Sequence, residues 1–130
     1  MTVEVHIVTP EREVWGGDVD QVIARGIDGE VGILGGHAPL LVQLAIGPLR
    51  LLTDGAETRA VVDGGFLHVS THEGRTRADV LASHAELADE IDVAEARRRL
   101  EVYEGQLEGD DDEVAKAEIA KANARIKLAG

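Results

Sequence analysis

The residues of this chain that could do acid–base or metal chemistry are its histidines and a few nearby acids. The histidines are His6, His37, His68, His72 and His84. His68 and His72 stand four residues apart, a spacing that in a helix would place both on one face, as in helical zinc sites. They lie in a strand-like stretch before Gly74, where that spacing does not converge. Asp63 precedes two glycines, and no glutamate follows His68 as a helical metalloprotease motif requires. We therefore expect no metal site and no catalytic residues.

Two further chemical motifs are absent from the sequence. Ser70 and Ser83 lack the sequence context of a nucleophile elbow. A phosphate-binding loop could have glycines at the spacing of Gly29, Gly32, Gly35 and Gly36. Neither a Lys-Ser/Thr pair nor a helical pattern follows them. Nucleophilic catalysis and phosphate-loop binding are therefore not indicated.

The chain is acidic, with a formal net charge of -12. This charge argues against nucleic acid and anionic lipid as partners, because both select basic patches. All of the lysines, Lys116, Lys121 and Lys127, fall in the last stretch together with Arg125. That placement indicates either an acidic partner surface or cations that favour a helix C-terminus.

Composition also bounds the compartment. The chain has no cysteine, which excludes disulfides and thiolate sites. No apolar run approaches the roughly 20 residues that span a bilayer. The N-terminus, Met1 to Val5, has neither a basic region nor an apolar signal core. We expect a cytosolic chain.

Up to about Ser83 the sequence reads as short strands separated by turn residues. Period-two patterns predict strands near 3–7, 19–24, 41–45, 48–52, 58–62, 66–69 and 75–81. Turn residues fall at 9–10, 16–17, 28–29, 54–55 and 73–74. Short strands with such regular punctuation indicate a β-sandwich or barrel rather than βαβ units.

After Ser83 the period changes to that of a helix. Two apolar stripes predict two helices: Val93, Ala96, Leu100, Tyr103 and Leu107, then Ala115, Ile119, Ala122, Ile126 and Ala129. Capping boxes are predicted at Asp92 with Glu95 and at Asp110 with Glu113, with Asp111 and Asp112 in the first turn of the second helix. Such short helices are not stable alone. We expect an antiparallel hairpin held weakly to the strand domain.

Two glycine-rich segments are the most distinctive part of the sequence. Residues 29–41 read Gly-Glu-Val-Gly-Ile-Leu-Gly-Gly-His-Ala-Pro-Leu-Leu, and residues 62–69 read Val-Asp-Gly-Gly-Phe-Leu-His-Val. Glycines in apolar strands mark bulges, corners or close backbone approaches. Together the segments resemble the N-terminal domain of the epsilon subunit of rotary F-type ATP synthases, in which proline is common where this chain has Gly35. The resemblance covers nearly the whole chain, and Gly35 predicts a looser loop.

The resemblance implies an antiparallel β-sandwich over residues 1–84 and an antiparallel two-helix hairpin over residues 85–130. It implies a non-catalytic central-stalk subunit of a proton-translocating ATP synthase, with no cofactor, that couples rotation of the membrane ring to ATP synthesis. Its partners would be the gamma subunit and the ring, at the cytoplasmic face of a bacterial membrane and without insertion. The residues that match this contact end are Glu30, Leu34, His37, Pro39 and Leu40. The same segment fits equally well a corner that only closes the sandwich.

A nucleotide motif of the family is matched only in part. Some members carry Ile/Leu-Asp-x-x-Arg-Ala in the hairpin and bind ATP there; the matching positions here are Glu86, Ile91, Asp92 and Ala96. Glu95 stands where that motif has arginine, and a carboxylate repels a triphosphate. Asp92 with Glu95 also fits a simple helix cap. These residues argue against ATP as a regulatory ligand.

The resemblance assigns the cations of the hairpin to the basic face of an inhibitory arm. They are Arg97, Arg98, Arg99, Lys116, Lys121, Arg125 and Lys127. In the family, the released hairpin rises along gamma and its cations meet an acidic loop of the catalytic beta subunits. Such a toggle needs two states separated by only a few kcal/mol. The alternative is a solvated surface with helical salt bridges such as Glu95–Arg99.

Two other functions stay open at this point. A free-standing sandwich that binds carbohydrate or peptide would need an exposed aromatic platform, and Trp15, Phe66 and Tyr103 are scattered. A small hydrolase that uses His37 or His68 with Asp63 would need a pocket of convergent ionisable groups. Composition and periodicity alone lead to an acidic sandwich with a hairpin, and the function comes from the resemblance.

Overall fold

Eight strands and two helices form the part of the chain that the computed structural model describes, residues 1–107, 109 and 112–129. The strands are β1 Val3–Val8, β2 Glu13–Val19, β3 Gln21–Gly26, β4 Gly29–Leu34, β5 Leu40–Thr53, β6 Ala56–His72, β7 Arg75–Leu81 and β8 Ala85–Leu87. A single 3-10 turn at Ala88–Glu90 leads to the helices α1 Val93–Gln106 and α2 Glu113–Ala129.

The strands join in the order β2-β1-β7-β6-β5-β3-β4, and β8 pairs with β6. β1 and β7 run parallel, and the other pairs are antiparallel. The long strands β5 and β6 belong to both layers of the sandwich. Residues 66–72 of β6 pair with β7 in the first layer, whereas residues 60–62 pair with β8 in the second layer, to which β3 and β4 also belong.

The core lies between the two layers and consists of aliphatic side chains, as the composition predicts. Along β1, fully buried residues alternate with half-buried ones. The largest fully buried side chains are Val3, Val5, Ile7, Val19, Val22, Ile33, Leu49, Leu51, Val61, Leu67, Val69 and Val80. Trp15 packs against the edge of this core. The period-two pattern therefore reports one buried face per strand.

β6 changes layers at a glycine pair that no other residue could replace without strain. Gly64 and Gly65 have φ values of 79° and 104°. A Cβ atom on Gly65 would lie 2.1 Å from the carbonyl oxygen of Leu81, so β7 ends directly against this bend. The N–H of Asp63 donates to the carbonyl of His84 at 3.0 Å. The bend thus fixes the backbone at Asp63.

The strand predictions were correct in type but incomplete in extent. β1 and β7 are confirmed, and the pairs predicted at 41–45 with 48–52 and at 58–62 with 66–69 are the continuous strands β5 and β6. The turn predicted at 16–17 was wrong, because both glycines lie inside β2. A side chain at Gly16 would lie 2.5 Å from the Glu13 carboxylate, and one at Gly17 would lie 2.9 Å from the Trp15 ring. These glycines make room for neighbouring side chains.

The helix caps follow the prediction at one helix and differ at the other. The Asp92 carboxylate accepts a hydrogen bond from the Glu95 N–H at 3.0 Å, which confirms it as the cap of α1. The side chain of Glu95 binds arginines of the same helix. At α2 the capping carboxylate is that of Asp112, which accepts from the Ala115 N–H at 3.1 Å, instead of lying in the first turn. The predicted cap Asp110 and its neighbour Asp111 lie outside the described residues.

His6 on β1 binds two carboxylates, one on its own strand and one on β2. His6 Nδ1 lies 2.6 Å from Oε1 of Glu13, and His6 Nε2 lies 2.7 Å from Oε2 of Glu4. These hydrogen bonds, the stronger from Glu4, raise the pKa of His6 above its ordinary value of 6.5. The imidazolium is the form that can donate to both carboxylates.

Stability should therefore fall as this histidine loses its proton. Because the pKa of His6 is raised on folding, its contribution is fully present below about pH 6.5 and is lost as the pH rises through the folded-state pKa. We expect His6→Gln to remove about 1 kcal/mol or less near pH 6, a decrease in Tm of up to about 4 °C, and almost nothing near pH 9. Thermal melts followed by circular dichroism at both pH values measure this. His72→Gln, at the exposed end of β6, is the control, and equal losses for His6→Gln at the two pH values would contradict the assignment.

Candidate interface between the helical hairpin and the sandwich

α2 is the helix that covers the outer face of the second layer. It contacts β5, β6 and the 3-10 turn, and α1 packs on α2. Val61 lies on this outer face, opposite Pro48 and Glu86 in the strand register, yet it is fully buried. The buried residues of α2 are Ala115, Ala122, Arg125 and Leu128. Two alanines of the predicted stripe are thus buried, together with an arginine that the stripe did not include.

Arg125 forms the polar centre of this interface. Its Nη1 and Nη2 lie 2.8 Å and 3.0 Å from the two carboxylate oxygens of Asp63, and its Nε lies 3.2 Å from Oε1 of Glu86. Nη1 also donates to the carbonyl of Lys121 at 3.0 Å. We call Arg125, Asp63 and Glu86 the Arg125 cluster. A bidentate pair of this kind fixes both distance and orientation.

Because the Arg125 cluster is buried, each of its charges is stable there only while its partners are in place. The side chains of Arg125 and Asp63 are 11% and 5% exposed. Burial alone would lower the pKa of Arg125, but the hydrogen bonds and charge of Asp63, followed by those of Glu86, raise it. Asp63 is held by the glycine bend of β6, and Glu86 by the pairing of β8 with β6. Both carboxylates therefore belong to the sheet, and only the guanidinium arrives with the helix.

A cavity of about 710 Å³ lies beside the Arg125 cluster, between the hairpin and the sandwich. Of the residues that resemble the nucleotide motif, Glu86, Asp92 and Ala96 line it together with Glu95. Ile91 is half-buried after the 3-10 turn and is not part of the lining. The fold thus brings three of the four residues that match the motif to one cavity.

The charge of this cavity does not suit a nucleotide. Seven carboxylates line it against four cations: Glu11, Asp63, Glu86, Glu90, Asp92, Glu95 and Glu118 against Arg12, Arg99, Lys121 and Arg125. Glu95 lies 2.7 Å from Arg98 and 3.1 Å from Arg99, which confirms the helical salt bridge Glu95–Arg99. Hydrogen bonds from Arg98 and then Arg99 lower the pKa of Glu95 to about 2. Glu95 therefore stays charged, and it engages Arg99, one of the four cations that line the cavity.

The cations of the predicted basic face lie in several different environments. Arg98 and Arg99 bind Glu95, Lys121 lies 3.3 Å from Glu118, and Arg125 is buried in its cluster. Lys127 lines a second groove on the opposite side of α2. Arg97 is exposed, and Lys116 lies 3.8 Å from Glu113. While the hairpin is docked, these cations do not form one continuous surface.

The predicted contact end divides into two places. Leu34, His37, Pro39 and Leu40 surround the turn between β4 and β5, where Leu34 is 55% exposed. The N–H of His37 donates to the Leu34 carbonyl at 3.1 Å. Glu30 lies four residues before Leu34 along β4, about 13 Å away at the rise of a strand. Four of the five residues thus share one corner.

This corner is tied down by its neighbours. The N–H of Gly36 donates to Thr76 Oγ1 on β7 at 2.7 Å. A Cβ atom at Gly35 would lie 2.8 Å from Met1. The N-terminus therefore occupies the space next to residue 35. The segment is a structural corner and an exposed surface at once.

The structure does not assemble the hydrolase alternative. Asp63 binds Arg125, His37 binds the carbonyl of Ala38 at 2.6 Å, and His68 is exposed on β6. In residues 1–107, 109 and 112–129, no group of three or more His, Cys, Asp or Glu side chains is placed to hold a metal ion. No described helix is long and apolar enough to cross a bilayer.

Comparison with known proteins gives a consistent answer. Residues 2–88 match the family described as ATP synthase, Delta/Epsilon chain, beta-sandwich domain. The ATP synthase epsilon chain of Thermobifida fusca is 44% identical over 128 residues, which are 96% of this chain and 90% of the relative. That of Desulforamulus reducens is 43% identical over 132 residues, covering 98% and 97%. A chain in the Euglena gracilis mitochondrial ATP synthase structure, OSCP/F1/c-ring, superposes with a TM-score of 0.74 at 26% identity, covering 93% of this chain and 76% of the other.

The Arg125 cluster predicts that one carboxylate controls docking of the hairpin. Breaking a buried ion pair costs about 3–5 kcal/mol, and the hairpin can avoid this cost by leaving the sandwich. We expect Asp63→Asn to lower hydrogen-exchange protection of α2 amides by about 100-fold or more while core amides of β1 and β7 keep theirs. Native-state hydrogen exchange followed by NMR or mass spectrometry measures both.

A matched control is available on the other layer. Asp79 is also a sheet carboxylate bound to an arginine, with Arg77 Nε 3.1 Å from its oxygens, but it lies away from the hairpin. Asp79→Asn should leave α2 protection unchanged. Unchanged protection of α2 in Asp63→Asn would show that the cluster does not hold the hairpin.

Proposed function

The chain belongs to the ATP synthase epsilon-chain family, and from this premise we propose how its two parts act in the central stalk. We propose a non-catalytic subunit, peripheral at the cytoplasmic face of the membrane, whose sandwich joins the gamma subunit to the membrane ring. Rotation of the ring, driven by protons, would then be transmitted without slippage. Family membership over almost the full length of the chain carries this proposal. The similar solved structures are chains of mitochondrial ATP synthases, one described as OSCP/F1/c-ring and the other as central stalk/cring.

The corner formed by Leu34, His37, Pro39 and Leu40 is the proposed ring and stalk contact. It combines exposed apolar area with a backbone fixed by hydrogen bonds to Thr76 and Leu34. A rigid corner transmits torque better than a flexible loop, because it deforms less under load. Glu30, further along β4, would extend this contact on the side of β3 and β4.

The hairpin is the proposed regulatory arm. Docked, it buries Arg125 against two sheet carboxylates. Released, it would present all the cations of the predicted basic face, which are Arg97, Arg98, Arg99, Lys116, Lys121, Arg125 and Lys127. An acidic loop of the catalytic beta subunits is the proposed partner of these cations. Loss of the Arg125 cluster is therefore the step that would convert the docked hairpin into an inhibitor of ATP hydrolysis.

We place the boundary between the two parts near residue 84, with one refinement. β8 follows this boundary, yet it pairs with residues 60–62 of β6, and Ala85 is buried in the core. β8 should therefore stay with the sandwich when the hairpin leaves. A truncation that keeps β8 and the 3-10 turn, residues 1–90, is the suitable test protein.

The stalk assignment predicts a stoichiometric complex with gamma. The full chain mixed with a purified gamma subunit should give a one-to-one complex in size-exclusion chromatography with light scattering. Residues 1–90 should give the same complex, because the proposed contact corner lies in the sandwich. Circular dichroism of the free proteins is the folding control. A folded full chain that forms no complex would refute the stalk role, and loss of binding in 1–90 alone would refute the division of labour.

Regulation by the hairpin predicts a kinetic effect of the Asp63 substitution, which leaves every cation of the arm in place. An ATP synthase complex assembled with Asp63→Asn should hydrolyse ATP more slowly than one with the natural chain, because more arms are released. Asp79→Asn should have no effect, and removal of the arm in 1–90 should abolish the slowing. Equal hydrolysis rates in complexes whose α2 is shown by hydrogen exchange to be released would contradict inhibition.

A further inference from the structure

A second groove, of about 470 Å³, runs along the side of α2 opposite the Arg125 cluster. Its floor is the outer face of the second layer, and its wall is α2. The sheet supplies Arg25, Arg50 and Arg59, and the helix supplies Lys127. The remaining polar and apolar lining is Ile46, Gly47, Pro48, Glu57, Ala120, Asn123, Ala124 and Leu128.

The strand register places the three arginines on one face. Arg50 on β5 is directly opposite Arg59 on β6, and Ile23, two residues from Arg25 on β3, is directly opposite Arg50. Residues opposite each other have Cβ atoms about 5 Å apart, and like charges in such positions are destabilising. This patch of cations is opposite in sign to the chain as a whole, whose formal net charge is -12. Such a grouping is stabilised when an anion lies among its members.

The groove contains too few carboxylates to neutralise its cations. Glu57 is the one carboxylate in the described lining, and it is hydrogen-bonded to Nε of Arg50. Glu30, opposite Arg25 on β4, is the next acid on this face. None of the ion pairs within 4.0 Å that join described residues includes Arg25, Arg59 or Lys127.

The groove also has open volume, because small residues line part of it. Residue 47 is a glycine, and the guanidinium of Arg25 lies across it, with Nη1 3.4 Å from where a Cβ atom would be. On the helix side, Ala120 and Ala124 present only methyl groups. A volume of about 470 Å³ falls in the usual range of small-molecule sites. Positive charge and open volume therefore coincide.

We propose that this groove binds a multivalent phosphate or phosphate ester between the sandwich arginines and Lys127 of the hairpin. Arginine and lysine together are the side chains that recognise phosphate oxygens. The carboxylate-rich cavity on the other side of α2 repels the same ligand, so the two sides of one helix differ in what they accept. The site stands on this geometry alone.

The bound anion would also hold the hairpin in place. Lys127 approaches three arginines when the hairpin docks, and an anion between them replaces repulsion by attraction on both sides. A ligand that needs groups from both the sheet and α2 binds the docked state and stabilises it. The step from tighter docking to weaker inhibition of ATP hydrolysis rests on the proposed function.

Calorimetric titration of the full chain with inorganic pyrophosphate tests the site. We expect one binding event, weakened about tenfold or more by Arg59→Gln and by Lys127→Gln, because each removes a charged hydrogen bond. Arg97→Gln, an exposed cation on α1 that lines neither cavity, should bind as the natural chain does. Arg59→Gln relieves repulsion from Arg50, so it should fold normally, and thermal melts confirm that.

Two further readouts separate the possible outcomes. Hydrogen exchange should show α2 amides more protected with pyrophosphate in the natural chain than in Lys127→Gln. No heat with pyrophosphate, equal affinity in the groove variants and Arg97→Gln, or binding only to phosphatidylglycerol vesicles would each overturn the proposal. These measurements use the free chain, so a pyrophosphate site with no gamma complex would refute the stalk role alone, and a gamma complex with no pyrophosphate site would refute this inference alone.

Discussion

A buried guanidinium stays buried only while its carboxylates are within reach. In this chain Arg125 meets Asp63 and Glu86 in the interface between α2 and the sheet, and the rest of the hairpin is attached through that helix. Leu128 is the one large apolar side chain among the buried residues described on α2, and the other two apolar ones are alanines. Docking of the hairpin therefore depends on one ionic cluster more than on a packed core. Such a contact can be lost in one step, which a toggling element requires.

The backbone of the sandwich places both carboxylates of this cluster on one face. Asp63 precedes the glycine bend that carries β6 from one layer to the other, and Gly65 is required there because Leu81 approaches so closely. The same bend lets β8 pair with β6 and bring Glu86 to the face of Asp63. Fold and regulation are thus linked: the feature that closes the sandwich also positions the receptor for the hairpin.

Sequence reasoning reached the architecture but not this receptor. Alternation revealed β1 and β7, because each has one aliphatic face, whereas β2 and β4 contain glycines, which carry no side chain to mark a buried face. The resemblance led to Glu86 and Asp92 at one cavity. The resemblance assigns Arg125 to a basic face, and the apolar stripe of α2 does not indicate its burial, because a stripe counts only apolar residues. Its partner lies 62 residues earlier, and such a long-range pair has no local signal. The one available hint was its position three residues after Ala122, on the buried side of the stripe.

The two sides of α2 have opposite electrostatic character, and this constrains how the hairpin can be regulated. On one side seven carboxylates outnumber four cations, and on the other side four cations face one carboxylate. Cations screen the first side and anions the second, so both kinds of ion reduce repulsion in the docked state. The Arg125 cluster belongs to the lining of the first side and is largely shielded from solvent. Solution ions therefore act on the surroundings of the contact, while its central ion pair sets the threshold at which the hairpin is released.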